Sequence, residues 1–167
     1  MFRIGDLIFY SKTGVCEIVE IIEKESEAFG RKNYYILRPL YQECDISIPV
    51  DNKKVYMRPV ISREKVDELI DAIPEMDAQA YYSQNLNQLK EHYRQLMDTH
   101  SCEDMIRVSK SVRNKQREVE ANKRKLGAVD ERFMKEAEDL LFGEFAAVLE
   151  ISKADVPGYI EDRLNRH

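Results

Sequence analysis

The chain has 167 residues, of which 43% are hydrophobic and 34% charged, and its formal net charge is −5. This composition is typical of a folded globular protein with one ordinary domain or two small ones, and it argues against intrinsic disorder. The negative net charge argues against attraction of the whole chain to nucleic acid, so any contact with DNA requires a local basic patch.

The first sixty residues carry strand signals. Strand patterns follow one another over residues 7–10, 15–22, 34–37, 45–50 and 55–57. Gly30 lies in a predicted hairpin loop over residues 26–32, because glycine readily adopts the backbone angles of a turn. Pro49 falls inside an otherwise regular strand and donates no ladder hydrogen bond, which predicts an edge strand or a strand end there.

From Ser62 onward the hydrophobic period becomes helical. Ser62 is the predicted N-cap of a first helix, which Pro74 ends. Further helices are predicted over about 78–97, over 101–127, from an Asp130 cap onward, and from Asp155 onward. Lys115 falls on the apolar side of the third helix, which predicts a kink or break near Asn114.

Strands first and helices afterwards indicate two structural modules, unlike the alternating βαβ pattern of many enzyme cores. We therefore predict an α+β fold in two modules. Residues 1–60 are expected to form a small Tudor-like or SH3-like β-barrel, and residues 61–167 an all-α helical domain.

Motifs for catalysis or cofactor binding are absent from the sequence. The six glycines are dispersed and form no phosphate-binding loop, and GxSxG, HExxH and CxxC do not occur. Cys16, Cys44 and Cys102 are scattered, and for the first two the pattern favours buried, reduced thiols. We expect no enzyme activity, no cofactor, no metal site and no small-molecule substrate.

Targeting signals are also absent. No apolar run approaches the roughly 20 residues of a membrane span, and the first residues lack the pattern of a signal peptide. The sequence therefore predicts a cytoplasmic protein with no membrane partner.

One face of the third predicted helix is basic in an otherwise acidic protein. Opposite its apolar stripe project Lys110, Arg113, Arg117 and Arg124. These side chains could neutralise phosphates and bind DNA weakly and without sequence preference. The alternative interpretation is an ordinary solvated helix face.

Several short segments together carry a family resemblance. They are Phe2-Arg3-Ile4-Gly5-Asp6, Tyr10, Gly14-Val15, Tyr34-Tyr35-Ile36-Leu37 and Ile48-Pro49-Val50. In this order they resemble the RNA-polymerase-interacting domain of the CarD/CdnL family, which also occurs in transcription-repair coupling factors. In the helical part, Leu126, Arg132 and the run from Glu136 to Glu144 resemble the C-terminal domain of that family.

The resemblance implies a bacterial transcription regulator that binds the RNA polymerase β subunit and stabilises the promoter open complex. The polymerase would pair with an exposed strand edge, for which the candidates are Ile46, Ser47, Ile48 and Pro49. The helical domain would contact promoter DNA through the basic face. Without the resemblance, Pro49 could simply protect the edge from aggregation.

The chain also departs from the family pattern. Family members insert a tryptophan into DNA at the edge of the transcription bubble, whereas this chain has no tryptophan. The resemblance places that position near Ala78, and Tyr81 is the candidate substitute because it leaves the apolar stripe. Tyr82 is expected to pack with Leu86 in the helical core. These departures support an alternative function, a two-module protein-interaction adaptor that has lost direct contact with DNA.

Overall fold

The computed structural model of the chain describes residues 1–166. Five strands come first: β1 (Leu7–Tyr10), β2 (Gly14–Ser26), β3 (Gly30–Pro39), β4 (Ile46–Pro49) and β5 (Met57–Pro59). The helices of the described range follow: α1 (Arg63–Ala72), α2 (Leu86–Met97), α3 (Cys102–Ala121), α4 (Ala128–Leu149) and α5 (Val156–Asn165). The predicted α+β organisation, with strands before helices, is confirmed.

The strands form one antiparallel sheet in the order β4-β3-β2-β1-β5. The predicted closed barrel is not confirmed, because in residues 1–166 β4 and β5 do not pair and remain the two edges. These edge strands have only four and three residues, which leaves little backbone for the staggered pairing that closes a barrel. One face of the sheet carries a small apolar core made of Ile8, Cys16, Ile18, Tyr35, Leu37 and Ile48.

The hairpin between β2 and β3 forms where it was predicted. Ser26 is paired with Gly30 in the ladder, and Gly30 has a φ of +69°. The Ser26 hydroxyl accepts a hydrogen bond from the Phe29 N–H at 3.0 Å. Glycine is suited to this position because the left-handed backbone region is costly for other residues.

The helices enclose a second, larger core, to which β1 also contributes. Ile8 and Phe9 are both fully buried, but Ile8 belongs to the core of the sheet and Phe9 to the core of the helices. Successive side chains of a strand point to opposite faces, so β1 is buried on both sides. Sheet and helices therefore pack directly against each other across the predicted boundary at residue 60.

Helix starts agree with the capping signals in three places. The Ser62 side chain accepts from the Lys65 N–H, and the Ser101 side chain from the Asp104 N–H. α5 begins at Val156 with Pro157 in its first turn. Hydroxyl caps and an N-terminal proline satisfy or remove main-chain donors that have no partner inside the helix.

Other predicted helix limits are wrong. α2 begins at Leu86 and not near residue 78, because the Asn85 side chain accepts from the N–H groups of Asn87 and Gln88 and caps the helix there. Residues 76–82 have no regular secondary structure. α3 ends at Ala121, before a left-handed Lys123 with a φ of +60°. The predicted C-terminal stop, Gly127, is instead the N-cap of α4.

Candidate interaction surfaces

The predicted polymerase-binding strand is an edge of the sheet. β4 is the outermost strand, and within the described range it pairs only with β3. Ile48 is 5% exposed and Ile46 packs against the sheet core, whereas the Ser47 side chain is exposed. The Ser47 hydroxyl accepts from the Lys24 ammonium at 3.2 Å. The strand thus has an apolar inner side and a polar outer side.

The hydrogen-bond alternation identifies which main-chain groups of β4 face away from β3. The Val50 N–H donates to the Asn33 carbonyl at 2.9 Å. Because hydrogen-bonded and non-bonded pairs alternate along an antiparallel ladder, Ile48 and Ile46 also direct their main-chain groups at β3. Ser47 and Pro49 therefore point outward. The free edge offers the Ser47 N–H and the Ser47 carbonyl. Proline carries no N–H, and the Pro49 carbonyl already accepts a hydrogen bond from the Asn52 N–H at 3.0 Å.

Two of the four basic residues predicted to bind DNA are engaged inside the protein. The Lys110 ammonium donates to the carbonyls of Ile73 and Met76 at 2.6 and 2.7 Å. The Arg113 guanidinium donates to both carboxylate oxygens of Glu138, each at 2.8 Å. Lys110 therefore holds the segment after α1 against α3, and Arg113 holds α3 against α4.

The other two predicted residues, Arg117 and Arg124, are exposed. Neither makes a side-chain hydrogen bond or ion pair with any other residue of the range 1–166. Arg124 lies beyond the end of α3, so the four residues do not share one helix face as predicted. The exposed cations concentrate instead at the end of α3 and in the following loop, where Lys123 and Lys125 flank Arg124.

The burial predicted for the two tyrosines is reversed in the structure. Tyr81 packs against the helical core and stacks on the His92 ring, with centroids 3.9 Å apart and planes at 7°. Tyr82 is 54% exposed and Leu86 58% exposed, so the predicted core contact between them is wrong. Both tyrosines lie outside any helix, so the helical periodicity on which the prediction relied does not apply to them.

The exposed Tyr82 ring lies above α3. Its hydroxyl donates to the Glu118 carboxylate, and the Lys115 ammonium is 4.8 Å from the ring centroid. The hydrogen bond to Glu118 raises the pKa of Tyr82 above its ordinary value. Of the two rings, Tyr82 is therefore the one that a partner could reach.

The kink or break that was predicted near Asn114 is not seen, and α3 continues through Lys115. Lys115 is buried, and its ammonium lies 3.0 Å from the Asp130 carboxylate, which also accepts a hydrogen bond from the Tyr93 hydroxyl. Burial, and then the bond to Asp130, raise the pKa of Tyr93. Asp130 is 2% exposed and does not cap α4. The ion pair supplies the partner that a buried charge requires, and α3 is helical throughout.

A buried ion pair that sequence reasoning missed joins β5 to α4. The Arg58 guanidinium donates two hydrogen bonds of 2.7 Å to the Glu144 carboxylate, which is completely buried. Glu144 also accepts from the Ile61 N–H at 3.0 Å and from the Cys102 thiol at 3.2 Å. Burial lowers the pKa of Arg58, but the hydrogen bonds to Glu144 and its negative charge outweigh this effect. The pKa of Arg58 is therefore raised above its ordinary value. The only sequence signal is a glutamate inside an apolar run.

A second contact nearby fixes the loop after β3 against α4. The Tyr41 hydroxyl donates to the Gly143 carbonyl at 2.8 Å. A Cβ atom at residue 143 would lie 3.0 Å from the Tyr41 ring, which is closer than such contacts normally allow. Any larger residue at this point of α4 would therefore require the Tyr41 ring to shift by a few tenths of an ångström.

The cysteines differ in exposure. Cys16 and Cys102 are buried, and burial raises the pKa of Cys16 to about 12. Cys44 is exposed, so the expectation that it is buried is wrong. Across residues 1–166, no three histidine, cysteine, aspartate or glutamate side chains are arranged to hold a metal ion. No helix in the same range has the length and apolar character needed to cross a membrane.

Comparison with known proteins identifies the module that contains the sheet. Residues 2–61 match the family described as CarD-like/TRCF RID domain. The matched segment contains all of β1 to β5 and ends before α1. No curated protein matches the chain. Through residues 2–61, which form its sheet module, the chain is therefore similar to the CarD-like/TRCF RID domain family.

Proposed function

We propose that the chain is a cytoplasmic bacterial transcription regulator that docks on the RNA polymerase β subunit and stabilises the promoter open complex. The observation that carries the proposal is the match of residues 2–61 to a domain whose family interacts with RNA polymerase. Such a domain is a protein-interaction module, so its action is binding and not chemistry.

Docking would occur by addition of a polymerase strand to β4. The outward N–H and carbonyl of Ser47 are the groups that such a strand would pair with. The short length of β4 and its proline limit this pairing to a few hydrogen bonds, which disfavours uncontrolled association of copies. Open-complex stabilisation then requires only that the helical module bind the open state better than the closed one.

Arg117, Arg124 and the lysines beside Arg124 support contact with DNA phosphates. With so few unpaired cations, binding to free duplex should be nonspecific, sensitive to salt and weak, with Kd of about 10⁻⁴–10⁻⁶ M. In the complex, docking on polymerase would raise the local concentration of DNA, so weak contacts suffice.

The second candidate function is a protein-interaction adaptor without direct DNA contact. Three observations favour it: Lys110 is bonded to main-chain carbonyls, Arg113 to Glu138, and Tyr81 is stacked inward on His92. Under this alternative the helical module would present a surface to another protein of the transcription complex.

Polymerase docking is tested with Ser47 variants. Ser47→Pro removes the outward N–H and leaves the core contacts of Ile46 and Ile48 in place, so it should abolish pull-down by the isolated β-subunit lobe. Ser47→Ala loses only the side-chain bond to Lys24 and is the matched control, expected to bind as wild type. Equal binding of both variants would show that β4 is not the docking edge.

The choice between the two functions is tested by charge reversal. Arg117→Glu with Arg124→Glu should retain lobe binding but abolish the lengthening of the open-complex lifetime on promoter DNA. Lys53→Glu with Lys54→Glu changes the net charge equally, at exposed positions between β4 and β5, and should retain both properties. If the first double variant still lengthens the open-complex lifetime as the wild type does, the adaptor is the better description.

A further inference from the structure

A groove with an apolar floor runs along α3, where α4 and α5 meet it. Its cavity volume is about 430 Å³, within the range of ~300–1,000 Å³ typical of small-molecule sites. Apolar side chains dominate its floor: Ile73, Ile106, Leu141, Phe142 and Ile160. Ile73, Phe142 and Ile160 are only partly buried, so the groove exposes apolar surface that the fold does not cover.

The polar rim of the groove carries excess positive charge. Lys110, Arg113, Arg117 and Glu138 line it. Glu138 neutralises Arg113 through two hydrogen bonds. Lys110 donates to neutral carbonyls only, and Arg117 has no side-chain partner in residues 1–166. Two uncompensated cations therefore face a site whose floor is apolar.

Ile106 and Arg117 occupy opposite ends of the groove, and Lys110 lies between them. Ser109 bonds to Glu138 and Lys115 to Asp130, so α3 and α4 are antiparallel. Ile106 therefore lies toward the α4 turn that carries Leu141 and Phe142, and Arg117 lies eleven residues further along α3. At 1.5 Å per residue this separation is about 16 Å. The groove is thus elongated, with Ile106 at its apolar end, Arg117 at the other end and Lys110 about one helical turn from Ile106.

We propose that this groove binds an anionic amphiphile, a small molecule with an extended apolar body and a single carboxylate or phosphate head. The apolar body would cover Ile106, Phe142 and Ile160, and the head would accept hydrogen bonds from Arg117. Charge complementarity excludes a cationic amphiphile. A DNA backbone would use the rim but would leave the apolar floor exposed to water, so the floor favours an amphiphile.

The probe for this site is decanoate, measured by calorimetric titration of the full chain. Decyltrimethylammonium has the same tail and the opposite charge, and acetate has the same head without the tail. Both should bind at least about tenfold more weakly than decanoate, because each lacks one of the two interactions. Decyl phosphate, titrated in parallel, distinguishes a phosphate head from a carboxylate head.

Variants locate the site. Arg117→Gln, at an exposed position, should weaken decanoate binding about tenfold by removing a charge-assisted hydrogen bond. Ile160→Trp should block the apolar end and abolish binding, with circular dichroism as the check on folding. Leu86→Asp, at an exposed leucine that does not line the groove, is the control for nonspecific hydrophobic binding and should have no effect.

The proposal shares Arg117 with the proposed DNA contact and is independent of docking through β4. Equal binding of decanoate and decyltrimethylammonium, or equal binding by wild type and Arg117→Gln, would overturn it. Loss of binding in Leu86→Asp comparable to that in Ile160→Trp would mean adventitious surfactant binding only. Neither result would bear on docking through β4, which the Ser47 variants test separately.

Discussion

The ion pair between Arg58 and Glu144 allows a quantitative test of how the sheet is joined to the helices. Arg58→Met removes the cation, keeps a side chain of similar length, and leaves the Glu144 carboxylate fully buried. The carboxylate would then retain only the Ile61 N–H and the Cys102 thiol as donors. Removing one partner of a buried ion pair typically costs about 3–5 kcal/mol, because the remaining charge is desolvated and unpaired.

For a chain of this length, 1 kcal/mol corresponds to a change of about 2–4 °C in Tm. Arg58→Met should therefore lower the Tm by roughly 6–20 °C, measured by far-ultraviolet circular dichroism at pH 7. The matched control is Asp45→Asn, which removes an exposed ion pair with Arg38 and should leave the Tm nearly unchanged. The double variant Arg58→Met with Glu144→Leu should recover most of the loss, since no buried charge then remains.

Two outcomes would refute this reasoning. If Arg58→Met lowers the Tm no more than Asp45→Asn, the buried pair does not hold the two modules together. If the double variant is as unstable as Arg58→Met alone, the loss comes from packing around β5 and not from an unpaired carboxylate.

Three further predictions follow from the environments of single side chains. Tyr81→Ala should lower the Tm by several degrees and Tyr82→Ala by much less, because only the first ring packs against the core; the reverse order would contradict the assigned burial. Burial, and then the charge of Lys115, lower the pKa of His92 in the folded protein. Below pH ~6.5 the unfolded state therefore binds more protons than the folded state, and the free energy of unfolding falls as the pH decreases from 7 to 5. His92→Phe keeps the stack on Tyr81 and should show a smaller Tm loss over that interval; an unchanged loss would show that the imidazole makes no contribution. A charged thiol reagent should modify Cys44 rapidly, and Cys16 and Cys102 only when the protein unfolds. Peptide mass mapping identifies the modified sites. Rapid modification of Cys16 or Cys102 would contradict their assigned burial.

Local signals in the sequence predicted the features that depend on near neighbours along the chain. The hairpin at Gly30, the edge position of Pro49 and the caps at Ser62 and Ser101 all form as expected. Each depends on the backbone preference or hydrogen bonding of one or two residues, which the sequence displays directly. The order of strands before helices follows from the change of hydrophobic period, which is also local.

The open sheet, the inward stack of Tyr81 and the internal bonds of Lys110 and Arg113 depend on the tertiary structure. Whether β4 and β5 close a barrel depends on pairing between segments distant in sequence, which no local pattern encodes. The burial of Tyr81 and Tyr82 was predicted wrongly because α2 begins after the Asn85 cap. The two tyrosines lie before the helix, so helical periodicity does not predict which of them is buried.

The charged contacts show most clearly the difference between what local sequence predicts and what tertiary structure decides. Lys115 and Glu144 are charged residues at positions where the sequence of each helix, considered alone, favours an apolar side chain. The first is paired with Asp130 on the next helix, and the second with Arg58 on the last strand. The sequence by itself indicates the order of the elements and the similarity of residues 2–61 to the CarD-like/TRCF RID domain family. The packing of those elements determines which charged residues are buried in pairs. It also determines which charged residues, such as Arg117, remain available to a partner. The reason is that ion pairing depends on distance in space and not on distance along the chain.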